Sequence, residues 1–165
     1  MLKFINRYVT LDLGGIMDRI DETLIRELQK NARTSLKDIS KQINLSLPST
    51  SERLRKLEQS GYISGYTALL DSHKLGKSLT CFCTVVLKEQ SYDAQKKFRQ
   101  LIQQIPEIVE CHYVTGEYEY LMKIITDSTK SLDALLQSFR ENYNVIKTYT
   151  YTVLSTIKNY PGIQL

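Results

Sequence analysis

The stretch from Ser46 to Ser60 holds the residues whose types and spacing most suggest chemistry with a partner. At about 100° per residue, Leu47, Thr50, Leu54 and Leu57 fall on one side of a helix. Pro48, Ser49, Glu52, Arg55 and Lys56 fall on the other, with Ser51 and Arg53 on the flanks. Such an outer face suits the major groove of double-stranded DNA. Arg and Lys reach guanine edges or phosphate oxygens, Ser bonds to either, and Glu52 can accept from a cytosine amino group. Ser46 and Ser49 stand at the helix N-terminus, where backbone N–H groups favour phosphate. Upstream, Arg33, Lys37 and Lys41 are candidate phosphate contacts. The same spacing also describes an ordinary amphipathic helix with a solvated polar face.

Other chemistry is poorly served. Cys81, Cys83, Cys111 and His112 lack the Cys-x₂-Cys or His-x₃-His spacing of a zinc site, and Cys111 and His112 project to opposite faces of a strand. The two histidines, His73 and His112, have no nucleophile or carboxylate constellation beside them. No Gly-rich phosphate loop is present. The expectation is a protein without cofactor or metal, and not an enzyme.

The elements that must position these groups follow from periodicity. Ile20, Leu24, Ile25 and Leu28 mark a helix from Asp18 to Asn31, with Asp18, Asp21 and Glu22 at the positive end of its dipole. Ser35 caps a second helix with Leu36, Ile39 and Ile43 inside, stopping at Asn44. Ser46 caps the third, Pro48 sits in its first turn, and Gly61 closes it. Three short helices with a tight second connection form a helix-turn-helix. Tyr62 to Thr67 reads as a short strand or wing, followed by a linker.

From Leu79 the period becomes two, with Leu79, Cys81, Cys83, Val85 and Leu87 on one face. A helix over 92–105 ends at Pro106; strands follow over 108–114 and 118–126, around a turn at Thr115-Gly116-Glu117. Leu132, Leu135, Leu136, Phe139 and Tyr143 mark a last helix, and 145–158 reads as a long strand. The fold class is α+β: a helix-turn-helix (winged-helix-like) domain, then a ferredoxin-like βαββαβ domain. The expected boundaries are 1–17 for an N-terminal extension, 18–66 for the helical domain, 67–78 for a linker and 79–165 for the second domain. Met17 is the expected natural start. Both faces of the sheet carry apolar groups, so a second subunit is the simplest cover for the face without helices.

Composition bounds this reading more than it drives it. The 165 residues carry 22 Lys+Arg against 18 Asp+Glu, a formal charge of +4, with 42% hydrophobic residues, enough for a real core. Residues 18–60 hold nine basic against seven acidic side chains. That surplus permits nucleic-acid binding without arguing for it. Three cysteines exclude a disulfide-dense secreted scaffold and suit reduced thiols in the cytoplasm. No apolar run approaches the roughly 18 residues of a membrane helix, so no membrane partner is expected.

Several motifs now occur in order. Asp18-Arg-Ile-Asp21 opens the first helix; Leu45-Ser46-Leu47-Pro48 leads to Glu52-Arg53-Leu54-Arg55-Lys56-Leu57-Glu58 and then Gly61-Tyr-Ile-Ser-Gly65-Tyr-Thr. Glu110-Cys111-His112 precedes Thr115-Gly116-Glu117-Tyr118-Glu119-Tyr120. Together they resemble the Lrp/AsnC, or feast/famine, family of transcription regulators over residues 17–158. The resemblance implies a DNA-binding N-terminal domain and a C-terminal domain that senses a small effector, often an amino acid bound between dimers. It implies a homodimer joined through its sheets and assembly to octamers, associated with the nucleoid. Effector residues of the family map to Gly116, Glu117, Tyr118, Glu119 and Tyr120 and to Thr150, Tyr151 and Thr152. Glu119 stands where the family often has Asp, and Tyr143-Asn144-Val145 replaces a Pro-Gly before the last strand. Glu117 or Glu119 would receive an amino acid's ammonium, and turn N–H groups its carboxylate. Two alternatives share the architecture: a tetrapyrrole (sirohaem-type) decarboxylase, and a low-specificity architectural DNA-binding protein.

Overall fold

The computed structural model describes residues 17–160, 162, 163 and 165, so the expected extension over 1–16 lies outside the described residues. The described chain separates into two compact units. One runs to Ala68 and takes in the last residues from Tyr160; the other spans Leu69–Asn159.

In the first unit, α1 (Arg19–Lys30) starts at Asp18. The Asp18 carboxylate accepts from the N–H groups of Ile20 and Asp21, and the Asp21 side chain returns the bond to the Asp18 N–H. This reciprocal box satisfies donors that a helix start leaves open. α2 (Leu36–Gln42) is capped by Ser35, and α3 (Leu47–Gln59) by Ser46 with Pro48 in its first turn. The turn between them is Ile43-Asn44-Leu45-Ser46. Asn44 has φ 52°, the left-handed conformation that Asn tolerates better than most residues. Gly61, with φ 80°, turns the chain away after α3.

Leu24, Ile25, Leu28, Ile39 and Leu57 form the core of this unit, with Met17, Leu36, Ile43, Leu54 and Ile63 packed against it. Leu47, expected inside, is 48% exposed, because Thr50 and Leu57 already fill the inward face of α3. The short strand expected over Tyr62–Thr67 does not form. Ile63 N–H bonds to the Leu57 carbonyl at 3.2 Å and Tyr66 OH donates to Glu58 Oε1 at 2.8 Å, which leaves the segment following α3 rather than building a ladder. Burial and the Glu58 carboxylate push the Tyr66 phenol up to about 12.

The second unit runs β1 (Leu79–Leu87), α4 (Tyr92–Ile102), β2 (Ile108–Tyr113), β3 (Tyr120–Thr126), α5 (Thr129–Asn142) and β4 (Val145–Thr152). The sheet order is β2-β3-β1-β4 with every pairing antiparallel, the expected split βαβ arrangement. α4 stops three residues before Ile105, since Pro106 disfavours helical backbone in the residue before it. β4 ends at Thr152 rather than Lys158. Its partner β1 begins at Leu79, and the Val153 N–H to Thr80 carbonyl bond is the last rung available.

Period-2 alternation sorts the strands onto two faces. One face carries Cys81, Cys83, Val85, Leu87, Tyr120, Met122 and Ile124, sealed by Phe98 and Ile102 of α4 and Leu132 and Phe139 of α5. The other holds Phe82, Val86, Leu121, Ile125, Tyr149 and Tyr151, with Phe82 39% and Tyr151 58% exposed. Phe139 is fully buried against both sheet and Tyr143. Truncation of Phe139 to Ala should therefore lower unfolding stability by roughly 3–5 kcal/mol. Urea titration followed by circular dichroism measures it, and a change below about 1 kcal/mol would contradict this packing.

Candidate nucleic-acid interface and effector region

α3 is held in one rotational setting by contacts from both its faces. Thr50 is fully buried and gives its hydroxyl to the Ser46 carbonyl at 3.0 Å, while Leu57 enters the core. On the flank, Arg53 Nη1 reaches Asp18 Oδ2 and Asp21 Oδ1, each at 2.8 Å. These two acids are the same pair that boxes the start of α1. The hydrogen bonds that Arg53 donates, first to Asp21 and then to Asp18, raise its pKa. The bond from the Asp21 backbone, with Arg53 adding to it, holds the Asp18 carboxyl below its usual range. Arg53 thus pins α3 to α1, with one guanidinium nitrogen shared between the two carboxylates.

Pro48, Ser49, Ser51, Glu52, Arg55 and Lys56 are all exposed, so the structure brings the expected polar set together on one outward strip. Ser46 Oγ accepts from the Ser49 N–H at 3.2 Å and lies 2.8 Å from Ser49 Oγ; its oxygen serves the cap. Glu52 and Arg55 pair with each other, Arg55 Nη2 standing 2.7 Å from Glu52 Oε1. Arg33, Lys37 and Lys41 are exposed on and before α2, with Lys41 Nζ 3.8 Å from Asp38.

The expected effector residues do not converge in the same way. Gly116 has φ 128°, a backbone state that favours glycine, and turns the chain between β2 and β3. Tyr118 then lies against the helix-free face, its ring 5.2 Å from that of Tyr149. Tyr151 shares that face, as its pairing with Phe82 dictates. Tyr120 points the opposite way into the core, packed on Phe98 and Tyr113, and its hydroxyl has no partner among the described residues. Thr150 and Thr152 also lie on the helix side, each hydroxyl beside a cysteine sulfur, Cys83 at 3.5 Å and Cys81 at 3.7 Å. Glu119 spends a carboxylate oxygen on the Leu87 N–H at 2.9 Å, at the irregular pairing between Val86 and Leu87. Glu117 alone of the two acids is left exposed.

Lys147 was not among the expected residues, yet its Nζ sits 4.6 Å over the Tyr149 ring and close enough to Glu117 and Tyr118 to feel both. Strand parity was the available signal: Lys147, Tyr149 and Tyr151 alternate, whereas the contiguous run Thr150-Tyr151-Thr152 straddles two faces. A cavity of about 290 Å³ opens elsewhere, between Ser91, Asp93, Lys97, Phe98 and Tyr143, and none of the expected effector residues lines it. No group of three metal-ligating side chains converges among the described residues. No helix among them is long and apolar enough to cross a membrane.

Comparisons with known proteins bear on both units. Residues 17–64 match a winged helix-turn-helix DNA-binding family, and residues 80–163 match the Lrp/AsnC ligand binding domain. The leucine-responsive regulatory protein of Escherichia coli is 38% identical over 146 residues, covering 88% of this chain and 89% of its own. Among solved structures, LrpC of Bacillus subtilis superposes with a TM-score of 0.79 at 31% identity, covering 87% of this chain and 99% of that one. A Neisseria meningitidis transcriptional regulator solved with L-methionine has a TM-score of 0.85 at 25% identity, covering 90% and 97%.

The Asp18 carboxylate, held by the Asp21 N–H first and by Arg53 second, carries a pH signature. Because the folded-state pKa of Asp18 is lowered, its stabilising contribution is complete above the unfolded value near 3.9 and disappears as pH falls through the folded value. Asp18→Asn keeps a capping oxygen but removes the charge. Its stability should fall less steeply than wild type below about pH 4, measured by urea midpoints across pH 2.5–6. Parallel acid limbs would show that the Asp18 charge contributes nothing to stability.

Proposed function

Since the chain belongs to the Lrp/AsnC family of DNA-binding transcriptional regulators, which are not enzymes, we propose that it binds operators as a homodimer that lays two copies of α3 in successive major grooves. Successive grooves lie about 34 Å apart on one face of the duplex, so the preferred site is roughly palindromic. The observation that carries this is the outward strip of α3: Ser49, Ser51, Glu52, Arg55 and Lys56 are exposed while Thr50 and Leu57 are buried. Arg55, at a guanine edge, and Lys56 matter most to affinity, Ser49, Ser51 and Glu52 bear on sequence choice, and Arg33, Lys37 and Lys41 contact phosphates. Ser46 and Pro48 position the helix start. Arg53 is left out of the DNA contacts because Asp18 and Asp21 hold it. In this reading 18–66 is the DNA-binding domain, 67–78 the linker, and 79–165 the effector and oligomerisation domain, and the protein works on cytoplasmic DNA in the nucleoid.

Dimerisation is supported by the helix-free sheet face, where Phe82 and Tyr151 stand exposed beside Val86, Leu121 and Ile125. Further assembly to an octamer is carried over from the family. The tetrapyrrole decarboxylase reading is not favoured, since the relatives and both matched families are those of regulators. A low-specificity architectural role is the weaker reading, because the α3 strip offers base-reading side chains and only a small charge surplus.

The effector is an amino acid or a close analogue. Solved neighbours from Neisseria meningitidis and Mycobacterium tuberculosis carry L-methionine, which supports that class. Glu117, exposed beyond the Gly116 turn, is the ammonium acceptor, and Glu119 is not, its carboxylate being taken by Leu87. Tyr118 and Tyr151 flank the ligand, and the second dimer completes the site.

Arg55→Ala should weaken binding to a duplex selected by the wild-type protein at least about tenfold, the order expected for a guanine-reading side chain. Sedimentation velocity should show an unchanged oligomer. Equal affinity at moderate salt would refute the docking of α3. Thermal-shift screening of the proteinogenic amino acids at millimolar concentration should find at least one that raises the melting temperature, an effect Glu117→Gln should abolish. A hit insensitive to that substitution would move the site elsewhere.

A further inference from the structure

The outward strip of α3 contains a polar chain centred on Arg55. Arg55 donates Nε to Glu52 Oε2 at 2.9 Å and Nη2 to Glu52 Oε1 at 2.7 Å, and its Nη1 donates to Gln59 Oε1 at 2.8 Å. The fork of the guanidinium thus meets the fork of the carboxylate, a geometry that sets its plane as well as its position. Arginine has five N–H donors, and three are occupied here. One N–H remains on each Nη, so the guanidinium keeps donors for an acceptor beyond the strip.

This polar chain is not part of the packing that holds α3. Arg55 and Glu52 are 53% and 48% exposed, and a pair so solvated contributes little to folding. Its consequence is electrostatic and orientational. The carboxylate is held below its usual range, first by the hydrogen bond from Arg55 and then by the charges of Arg55 and Lys56. Lys56 Nζ stands 3.9 Å from the same Glu52 oxygen. Two cations on the strip are therefore offset by one anion placed between them. An Arg55 without Glu52 would be a mobile cation able to meet any phosphate.

We propose that Glu52 is a positioning residue for Arg55, buttressing the guanidinium toward guanine and withholding it from phosphates, so that it sets specificity without itself touching a base. This rests on the reading of α3 as the DNA-contacting helix, and it differs from direct acceptance by Glu52 from a cytosine.

The test compares two duplexes of equal length, one selected by the wild-type protein from a random pool and one of random sequence, by fluorescence anisotropy over a salt series. In Glu52→Gln, random-duplex affinity should rise roughly five- to tenfold near 0.1 M salt. The slope of log K against log salt should steepen by about 0.9 for each α3 engaged. The selected-to-random ratio should fall at least about fivefold, the lower end of what one bidentate guanine contact supplies. In an Arg55→Ala background, Glu52→Gln should then change neither quantity beyond about twofold, since the two residues act as one unit. Persistence of the effect without Arg55 would overturn the proposal, whether it appears as lost discrimination at a single cytosine or as a uniform electrostatic gain. So would an unchanged ratio in Glu52→Gln alone. If the wild-type protein enriches no sequence and binds no duplex at low salt, the DNA-docking reading of α3 itself fails. Enrichment by wild type with an indifferent Glu52→Gln removes only the role of Glu52.

Discussion

A thirteen-residue helix can turn only one face inward, and α3 has that face assigned by Thr50 and Leu57. Everything else on α3 is read from this phase. Thr50 is buried with its hydroxyl returned to the Ser46 carbonyl, so burial leaves no polar group stranded. Arg53 then locks the phase from the flank. One guanidinium nitrogen meets two carboxylates that already cap α1, which joins the start of the first helix to the middle of the third. Rotation of α3 by one residue would bury a serine or a charge and break that link. The outward strip is the complement of these constraints.

The second unit obeys a simpler constraint. Its strands alternate, so a sheet covered by two helices on one side must show its other set of side chains to something else. Cys81, Cys83, Val85 and Leu87 are enclosed by α4 and α5, and their neighbours Phe82 and Val86 are left on the open side. The same alternation divides the residues that family resemblance groups together. Tyr118 and Tyr151 lie on the open face, whereas Tyr120, Thr150 and Thr152 belong to the helix side. A single small ligand on one face of the sheet therefore cannot touch all of their side chains.

Much of the fold was legible because its signals are local. Ser35 and Ser46 cap the helices they were expected to cap, Asn44 takes the left-handed turn, and the β1 face alternates as its sequence does. Expectations failed where a partner strand or a proline intervened. The final strand looked long because Thr and Tyr continue past Thr152, but a ladder lasts only as long as its neighbour, and β1 starts at Leu79. The segment after Gly61 looked like a strand from its aromatic and β-branched content. It found its hydrogen bonds in Leu57 and Glu58 instead of in another strand.

The sequence by itself determined the phase of each helix and the parity of each strand, because periodicity depends on neighbours a few residues apart. It therefore also determined which side chains of α3 face outward, apart from Leu47, which the phase put inside and the structure leaves 48% exposed. Only the tertiary structure decided which of the charges there are free. Arg53 and Arg55 look alike in the sequence, yet one is tied to α1 by Asp18 and Asp21 and the other is clasped on its own helix by Glu52. Likewise Glu117 and Glu119 are two residues apart and chemically identical, and only the approach of the Leu87 N–H distinguishes them. Charge pairing and hydrogen bonding are set by distance in space. The partners of Arg53 lie 35 and 32 residues away in the chain, and so does that of Glu119, at 32, beyond the reach of any local pattern.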